Sequence, residues 1–515
     1  MSRLFLDDLL DDDVKVSRPP PSAVASSSPP LNDSKKLSLY NYQTVIVKKM
    51  RQRDSLTVHG IKGGILAAEM GLGKTIMAIE HALQLYTISR LPSLIVCSNI
   101  LLKTWEDEIK KYCNASYVVY HKTFTDVTVP LSSYKGRQLI VTSYEMINMK
   151  YNINELMYNC IYLDESHRIA NPKSKIFENV STLKSKICKW CLSGSPIKNY
   201  TSDIVSQFKF LGYNQSEMNE TDYDEVRDCI IRLMKTDVKD EVKFPDVETK
   251  NINLELSETE REIYNVYRNH SNDIYRGFVR GKYSYGQLLG TITKLCQLVI
   301  SPCIAMKLED TRTDDEEDEE SSENDKKTTS KCQNSGYYNL TPLHLDWIRN
   351  NNSTKINEIL KIVNSIPKGE KCLIFTRFKG CIKLIKKLLS ERKKCLVVDG
   401  TVTGKKRYKA IDDFKTEDVD VFIIQNKVGG EGLTLVEANH VIIVENWWCP
   451  SVIDQCCARV IRPKQNKKVF IYKLMMTSTI EERIEETCNM KRELTKTYID
   501  KKERIDSTMI RRWIN

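Results

Sequence analysis

The sequence predicts an α/β protein of two lobes, each with a parallel sheet, joined by a mainly helical middle region. Three observations carry this. The chain has 515 residues, too many for one comfortable core, so at least two domains of roughly 150–200 residues are expected. Short β-rich runs alternate with helical stretches from Leu39 to about Pro245, the rhythm of a parallel sheet with crossover helices. The same rhythm starts again near Lys371.

Composition narrows the class. Charged residues make up 28% of the chain and the hydrophobic set 41%, the balance of a folded globular protein rather than a disordered or fibrous one. The longest apolar runs, such as His440-Val441-Ile442-Ile443-Val444, fall far short of the roughly 20 residues a membrane span needs. Asp7 and Asp8 interrupt the N-terminal apolar residues before a signal-peptide core can form. The 16 cysteines are therefore expected as reduced thiols. Cys188 and Cys191 form a C-x-x-C, but no second pair follows at zinc-ribbon spacing, so a buried strand is expected there rather than zinc.

The elements follow in order. Residues 1–38 are expected as a disordered leader, because 17–34 are rich in Pro and Ser with few large apolar side chains. Residues 39–245 form the first lobe, with strands expected at Leu94–Cys97, Leu139–Thr142 and Cys160–Leu163. Residues 246–308 read as a helical bridge between the lobes, with Leu256-Ser257-Glu258-Thr259-Glu260 as an N-terminal capping segment. Residues 309–338 are expected as a solvated acidic insertion. The second lobe, 339–490, has four expected buried strands at Cys372–Phe375, Cys395–Val398, Val421–Ile424 and Val441–Val444; a basic helix or tail, 491–515, ends the chain.

Charge is unevenly placed. Residues 309–325 carry eleven acids against Arg312 alone, a local charge of −10, so the rest of this +10 chain carries +20. Such an excess favours a polyanionic partner, although a well-solvated lysine-rich surface accounts for it equally well.

Chemistry enters at Gly63 to Thr75, a Gly-rich turn leading into the apolar-periodic residues Ile76, Ala78 and Ile79. It reads as a phosphate-binding loop: Ala68, Glu69, Met70, Gly71, Leu72 and Gly73 supply backbone around phosphates, Lys74 reaches the β/γ-phosphates, and Thr75 can ligate Mg²⁺. Strict spacing places a glycine where this chain has Ala68. About 90 residues on, Asp164 and Glu165 end an apolar run, at the strand end where open α/β sheets bind ligands. Asp164 can hold Mg²⁺ and Glu165 can polarise water. Arg459 and Arg462, three apart, can share a helix face and present guanidiniums to a γ-phosphate. ATP and Mg²⁺ are the expected cofactors.

The motifs and their order resemble the Swi/Snf family of DNA-dependent ATPases in helicase superfamily two, over nearly everything from Leu39 to Ile484. Leu39-Tyr40-Asn41-Tyr42-Gln43 resembles the opening motif, implying that Gln43 reads adenine. Leu94 to Ser98 with Trp105 and Glu108, and Val141-Thr142-Ser143-Tyr144-Glu145, resemble the next two motifs. Asp164-Glu165-Ser166-His167 resembles the Asp-Glu-x-His box, and Leu192 to Asn199 the motif after it. Ile231 to Lys235 with Phe244-Pro245, and Lys294 to Pro302, resemble the end of lobe one and the middle region. In lobe two, Phe375-Thr376-Arg377-Phe378, Val398 to Thr401, Asn426 to Leu435 with Gly432, and Asp454 to Gln465 preceded by Asn446-Trp447-Trp448-Cys449-Pro450 complete the series. Ala68 stands where the family usually has Asp, Ile461 where it often has His, and Pro463-Lys464 are atypical.

The resemblance implies two RecA-like lobes that close on ATP, with Gln455, Arg459 and Arg462 completing catalysis from lobe two, and Gly432 near the nucleotide. It implies DNA contacts at Ser98, Thr142, Thr376 and Lys427. The implied partner is duplex DNA, with nucleosomes or transcription proteins as further candidates, and the implied place is the nucleus, a host's if the protein is viral. Transcription activation by translocation on duplex DNA leads; strand separation on DNA or RNA, and an ATP-switched scaffold, are the alternatives. The chain's brevity resembles the global transactivators of baculoviruses.

Overall fold

The computed structural model describes residues 39–198, 202–214, 220–306, 340–350, 352–402, 404–429 and 434–500. The expected leader, 1–38, and acidic insertion, 309–338, lie outside the described residues.

Lobe one holds seven strands: β1 (Gly63–Ala68), β2 (Ser93–Cys97), β3 (Tyr117–Val119), β4 (Leu139–Ser143), β5 (Met157–Asp164), β6 (Lys184–Ser193) and β7 (Ile230–Leu233). They pair in the order β3-β4-β2-β5-β6-β1-β7, every pairing parallel. All six residues of β1 and all five of β2 are buried, as a sheet covered on both faces by helices requires. Cys188 and Cys191 both lie on β6. Three residues apart, they fall on opposite faces: Cys188 packs with Leu192 and Met77, and Cys191 with Ile65 and Ile161. The buried-strand reading of this C-x-x-C holds.

Lobe two holds six strands: β8 (Val247–Leu254), β9 (Lys371–Thr376), β10 (Cys395–Val398), β11 (Val421–Gln425), β12 (Ala438–Ile443) and β13 (Val469–Met476). Their order is β10-β11-β9-β12-β13-β8, again all parallel.

Strand β8 corrects the expected helical bridge over 246–308. Val247–Leu254 pairs residue for residue with β13 and is the edge of the lobe-two sheet. The helices that follow, Glu258–Val279 and Tyr285–Leu298, pack Ile263, Tyr264, Tyr267 and Leu295 with Met476 of β13. They are an appendage of lobe two; the chain crosses between lobes before β8. The expected cap is present: Ser257 accepts from the Glu260 N–H at 3.4 Å and Glu260 accepts from the Ser257 N–H at 2.9 Å.

The boundary at 491 is also corrected. Helix Ile480–Thr495 runs through it, and a π-helical turn, Lys496–Asp500, follows. That turn returns to lobe one, where Ile499 joins the apolar core and the Tyr223 hydroxyl donates to the Tyr498 carbonyl at 2.6 Å.

A buried polar network fixes the first helix, Asn41–Asp54, behind the phosphate loop. Asp54 contacts His81 Nε2 at 2.8 Å and accepts from Trp190 Nε1 at 3.0 Å, and His81 Nδ1 meets the Tyr162 hydroxyl at 2.6 Å. Burial pushes the Asp54 carboxyl up, but hydrogen bonds from His81 and Trp190 hold it below its usual value. Four elements distant in sequence are locked together this way.

Candidate nucleotide site between the lobes

The phosphate loop connects β1 to helix Lys74–Ser89. Gly71 and Gly73 have φ of 92° and 80°, a left-handed region that side-chain-bearing residues rarely adopt. A Cβ at Gly73 would also lie 2.4 Å from Gln43 Nε2. The loop thus turns tightly, with backbone that only glycine accommodates at these positions. Lys74 Nζ donates back to the Ala68 carbonyl at 2.8 Å, so Ala68 takes part through its backbone. Glu69 accepts the Lys235 N–H at 2.7 Å, and Leu72 is buried as a hydrophobic anchor. Thr75 opens the helix beside Lys74.

Asp164 and Glu165 end β5, two strands from β1 with β6 between. Asp164 accepts from Trp105 Nε1 at 2.8 Å and from the Glu165 N–H at 3.0 Å, and its carbonyl accepts from the Tyr144 hydroxyl at 2.8 Å. Burial and the Glu165 charge push the Asp164 carboxyl up, against Trp105 and Lys74. Burial also raises Glu165, but His167, Lys74 and Arg459 outweigh it, so its carboxyl sits below the usual range. Glu165 is therefore held ionised, able to accept a hydrogen bond from water and orient it.

Lobe two contributes the arginines. Helix Pro450–Cys457 carries half-buried Gln455 and ends before Arg459, so Arg459 and Arg462 lie in the turn beyond it and not on one helix face as expected. Arg459 Nη2 lies 4.0 Å from Met70 Sδ in the phosphate loop. Arg462 Nη1 lies 3.4 Å from where a Cβ on Gly71 would stand. Burial and the Arg459 charge lower the Arg462 pKa to about 10. Burial also lowers Lys74, opposed by Glu165 and Asp164 and reinforced by Arg462 and Arg459. Three cations and two acids thus converge from two lobes. Arg462 Nε is buried there without a hydrogen-bond partner, and Glu165 Oε2 lies 3.4 Å from His167 Nδ1, an incomplete polar constellation that a triphosphate and its metal fit.

Other expected residues are placed differently. Gln43 is buried, with Oε1 accepting from the Tyr40 N–H at 3.1 Å and Nε2 donating to the Leu72 carbonyl at 3.4 Å; it touches the phosphate loop itself. Thr142 is fully buried and donates to the Tyr120 carbonyl, and Thr376 is fully buried and donates to Glu445. Both hydroxyls point inward, which corrects the expectation that they face a DNA strand. Ser98 is 5% exposed, with a buried oxygen. Lys427 lies on the short helix Asn426–Gly429, and Gly432 lies outside the described residues. The sequence reading gave no catalytic role to Trp105, although a tryptophan followed 59 residues later by a buried acid carries no local signal.

Phosphate loop, acidic pair and opposed arginines make this an ATP-hydrolysing enzyme of the helicase type. Residues 42–221 match the family model of the SNF2-related domain, and residues 354–464 that of the helicase conserved C-terminal domain. The chain belongs to the Swi/Snf family of helicase superfamily two. It is 25% identical over 581 residues to the helicase-named protein 172L of Invertebrate iridescent virus 6, covering 91% of this chain and 92% of that one. It is 25% identical over 453 residues to the CHD3-type chromatin-remodeling factor CHR7 of Arabidopsis thaliana, covering 82% and 34%. Among solved structures, the SWI2/SNF2 ATPase core of Sulfolobus solfataricus in complex with dsDNA is 25% identical, covering 90% and 93%, with a TM-score of 0.39. Beyond the iridescent virus protein, the chain spans less than half of relatives such as CHR7, at 34%, or YwqA of Bacillus subtilis, at 46%. No helix among the described residues is long and apolar enough to cross a membrane.

Proposed function

We propose that this ATPase translocates on duplex DNA, remodelling protein–DNA complexes or chromatin and so regulating transcription in a nucleus. The observation that carries the proposal is the arginine pair of lobe two seated on the phosphate loop of lobe one. A site completed by both lobes couples the presence of a γ-phosphate to lobe closure, so turnover moves one lobe against the other. DNA and chromatin come from the resemblance to relatives named as a chromatin-remodeling factor and a chromodomain-helicase-DNA-binding protein.

In this reading Lys74 neutralises the β/γ-phosphates, Glu165 orients and deprotonates the attacking water, and Arg459 and Arg462 hold the charge that builds on the transferred phosphoryl group. Thr75 and Asp164 would hold Mg²⁺, which when bound supplies further neutralisation of phosphate charge. Gln455 positions groups at the same interface.

The test compares ATP turnover with no nucleic acid, single strands, RNA, duplex DNA and nucleosomes, alongside triplex-displacement and strand-displacement assays. The reading expects stimulation by duplex DNA and triplex removal. Efficient unwinding without triplex removal would instead make the protein a strand-separating helicase, and absence of turnover under every condition would leave an ATP-switched scaffold.

A further inference from the structure

Helix Lys379–Leu389 follows β9 in lobe two and buries Cys381, Ile382, Ile385 and Leu389, packing Ile382 and Ile385 with Ile374 of β9. Its outer face is lysine: Lys379, Lys383, Lys386 and Lys387 are exposed. Steps of four, three and one residues keep them within one face of a helix of 3.6 residues per turn. The run continues through Arg392, Lys393 and Lys394, so residues 379–394 carry seven basic side chains against Glu391 alone.

Lysines at this spacing repel one another, and several helical cations elsewhere meet an acid. Lys103 is paired with Glu106 and Asp107, Lys110 with Glu106, Lys361 with Glu358 and Arg483 with Glu486, all three or four residues apart on helices. Among the described residues, no such ion pair accompanies Lys379, Lys383 or Lys386. Nor does the stripe belong to the ATP site, whose charged neighbours are Lys74, Asp164, Glu165, Arg459 and Arg462.

We propose that this lysine stripe is a sequence-independent binding face for the phosphate backbone of duplex DNA, additional to whatever path the DNA takes between the lobes. The inference rests on the duplex-DNA reading above and extends it. From Lys379 to Lys387 the helix rises about 12 Å, a length along which one strand of a duplex presents about three or four phosphates. Lysine, a compact point charge on a flexible stem, suits contacts that carry no sequence information. A protein partner fits less well, because the centre of a protein interface is built from aromatic and apolar side chains, and the outward residues here are lysines and Ser390. The stripe starts three residues after Thr376, at the C-terminal end of β9, and runs back along the outside of the parallel sheet towards the start of β10.

The test uses the full chain carrying Lys379→Gln, Lys383→Gln and Lys386→Gln together, with the corresponding Lys→Arg triple as the charge-retaining control. Duplex affinity is measured across a salt series. Removing three contacts should lower the slope of log K against log salt by about 2–3 and weaken binding about tenfold or more at moderate salt, with the arginine triple behaving as wild type. A wild type that binds duplex DNA and a glutamine triple with the same affinity and slope would overturn this inference alone. A wild type with no duplex binding overturns the DNA reading beneath it. Should deletion of residues 309–325 alter melting of the wild type but not of the glutamine triple, with the salt slope unmoved, the stripe serves the chain's own acidic tract and the DNA assignment falls.

Discussion

Replacing Arg462 by methionine separates what the fold favours from what the reaction needs. Its guanidinium sits where lobe two meets the phosphate loop, with Nε buried and unpartnered. Burial and the Arg459 charge lower its pKa to about 10. That fall corresponds to about 3 kcal/mol against carrying the charge in the folded chain; water reaching this half-buried side chain reduces the figure to about 1–2 kcal/mol. The group remains protonated below about 10, so the penalty is present across the neutral range and is relieved only as pH rises beyond that value. Arg462→Met keeps much of the stem and removes the charge. The nucleotide-free protein should therefore gain about 1–2 kcal/mol in urea unfolding, while steady-state phosphate release falls about a thousandfold. A nucleotide-free variant less stable than wild type would refute the reasoning, because Arg462 would then be a structural ion-pair partner of the fold, with Glu108 the nearest opposing charge.

Lys74→Ala and Glu165→Gln should each lower turnover at least about a hundredfold while circular dichroism stays unchanged; near-normal phosphate release in either removes that residue from the site. Burial raises the Glu445 pKa from 4.5 to about 7, so the folded chain holds this proton longer than the unfolded chain and loses up to about 3 kcal/mol as pH climbs through that window. Glu445→Gln, still able to accept from Arg377 and Thr376, should match wild type near pH 4.5 and melt higher at pH 8; a gap independent of pH contradicts this. Lys355 Nζ lies 2.6 and 2.7 Å from the Glu481 oxygens, with both side chains almost wholly buried. Lys355→Met should cost about 3–5 kcal/mol by stranding the carboxylate, and adding Glu481→Leu should recover most of it. A single-variant loss below about 1 kcal/mol would show that water reaches the pair.

What the sequence made legible was whatever depends on residue type at short range. Strands β2, β4, β5, β9, β11 and β12 are nearly continuous apolar runs, as strands buried on both faces must be, and the phosphate loop, acidic pair and arginines are constrained by the chemistry of phosphate. Strand β8 was hidden because it is a sheet edge: Val-Glu-Thr-Lys-Asn-Ile-Asn-Leu has no fully buried residue, and the capping signal at Ser257 drew the whole region into a helical reading. The Trp105–Asp164 bond and the Asp54–His81–Trp190 network were hidden for another reason, since each joins residues that only tertiary packing brings together. The inward turn of Thr142 and Thr376 belongs here too, because a strand end that suits a ligand and one that suits a buried hydrogen bond look alike in sequence.

The return of the chain to lobe one constrains the proposed motor cycle. Lobe two is joined to lobe one by the crossover before β8 and again by residues 496–500, with Ile499 inside the lobe-one core and Tyr498 stacked edge-on against Tyr223 at 5.3 Å. Two connections leave rotation about the line between them as the easy motion and oppose separation of the lobes. Opening after hydrolysis then withdraws Arg459 and Arg462 from the phosphate loop through a small angle while Tyr498 and Ile499 stay seated. If those contacts are removed by Ile499→Ala with Tyr223→Phe, rigid coupling should weaken before the ATP site does: turnover per bound duplex should persist while triplex displacement per ATP declines. Equal loss of both would show that the C-terminal turn supports the site itself rather than the direction of its movement.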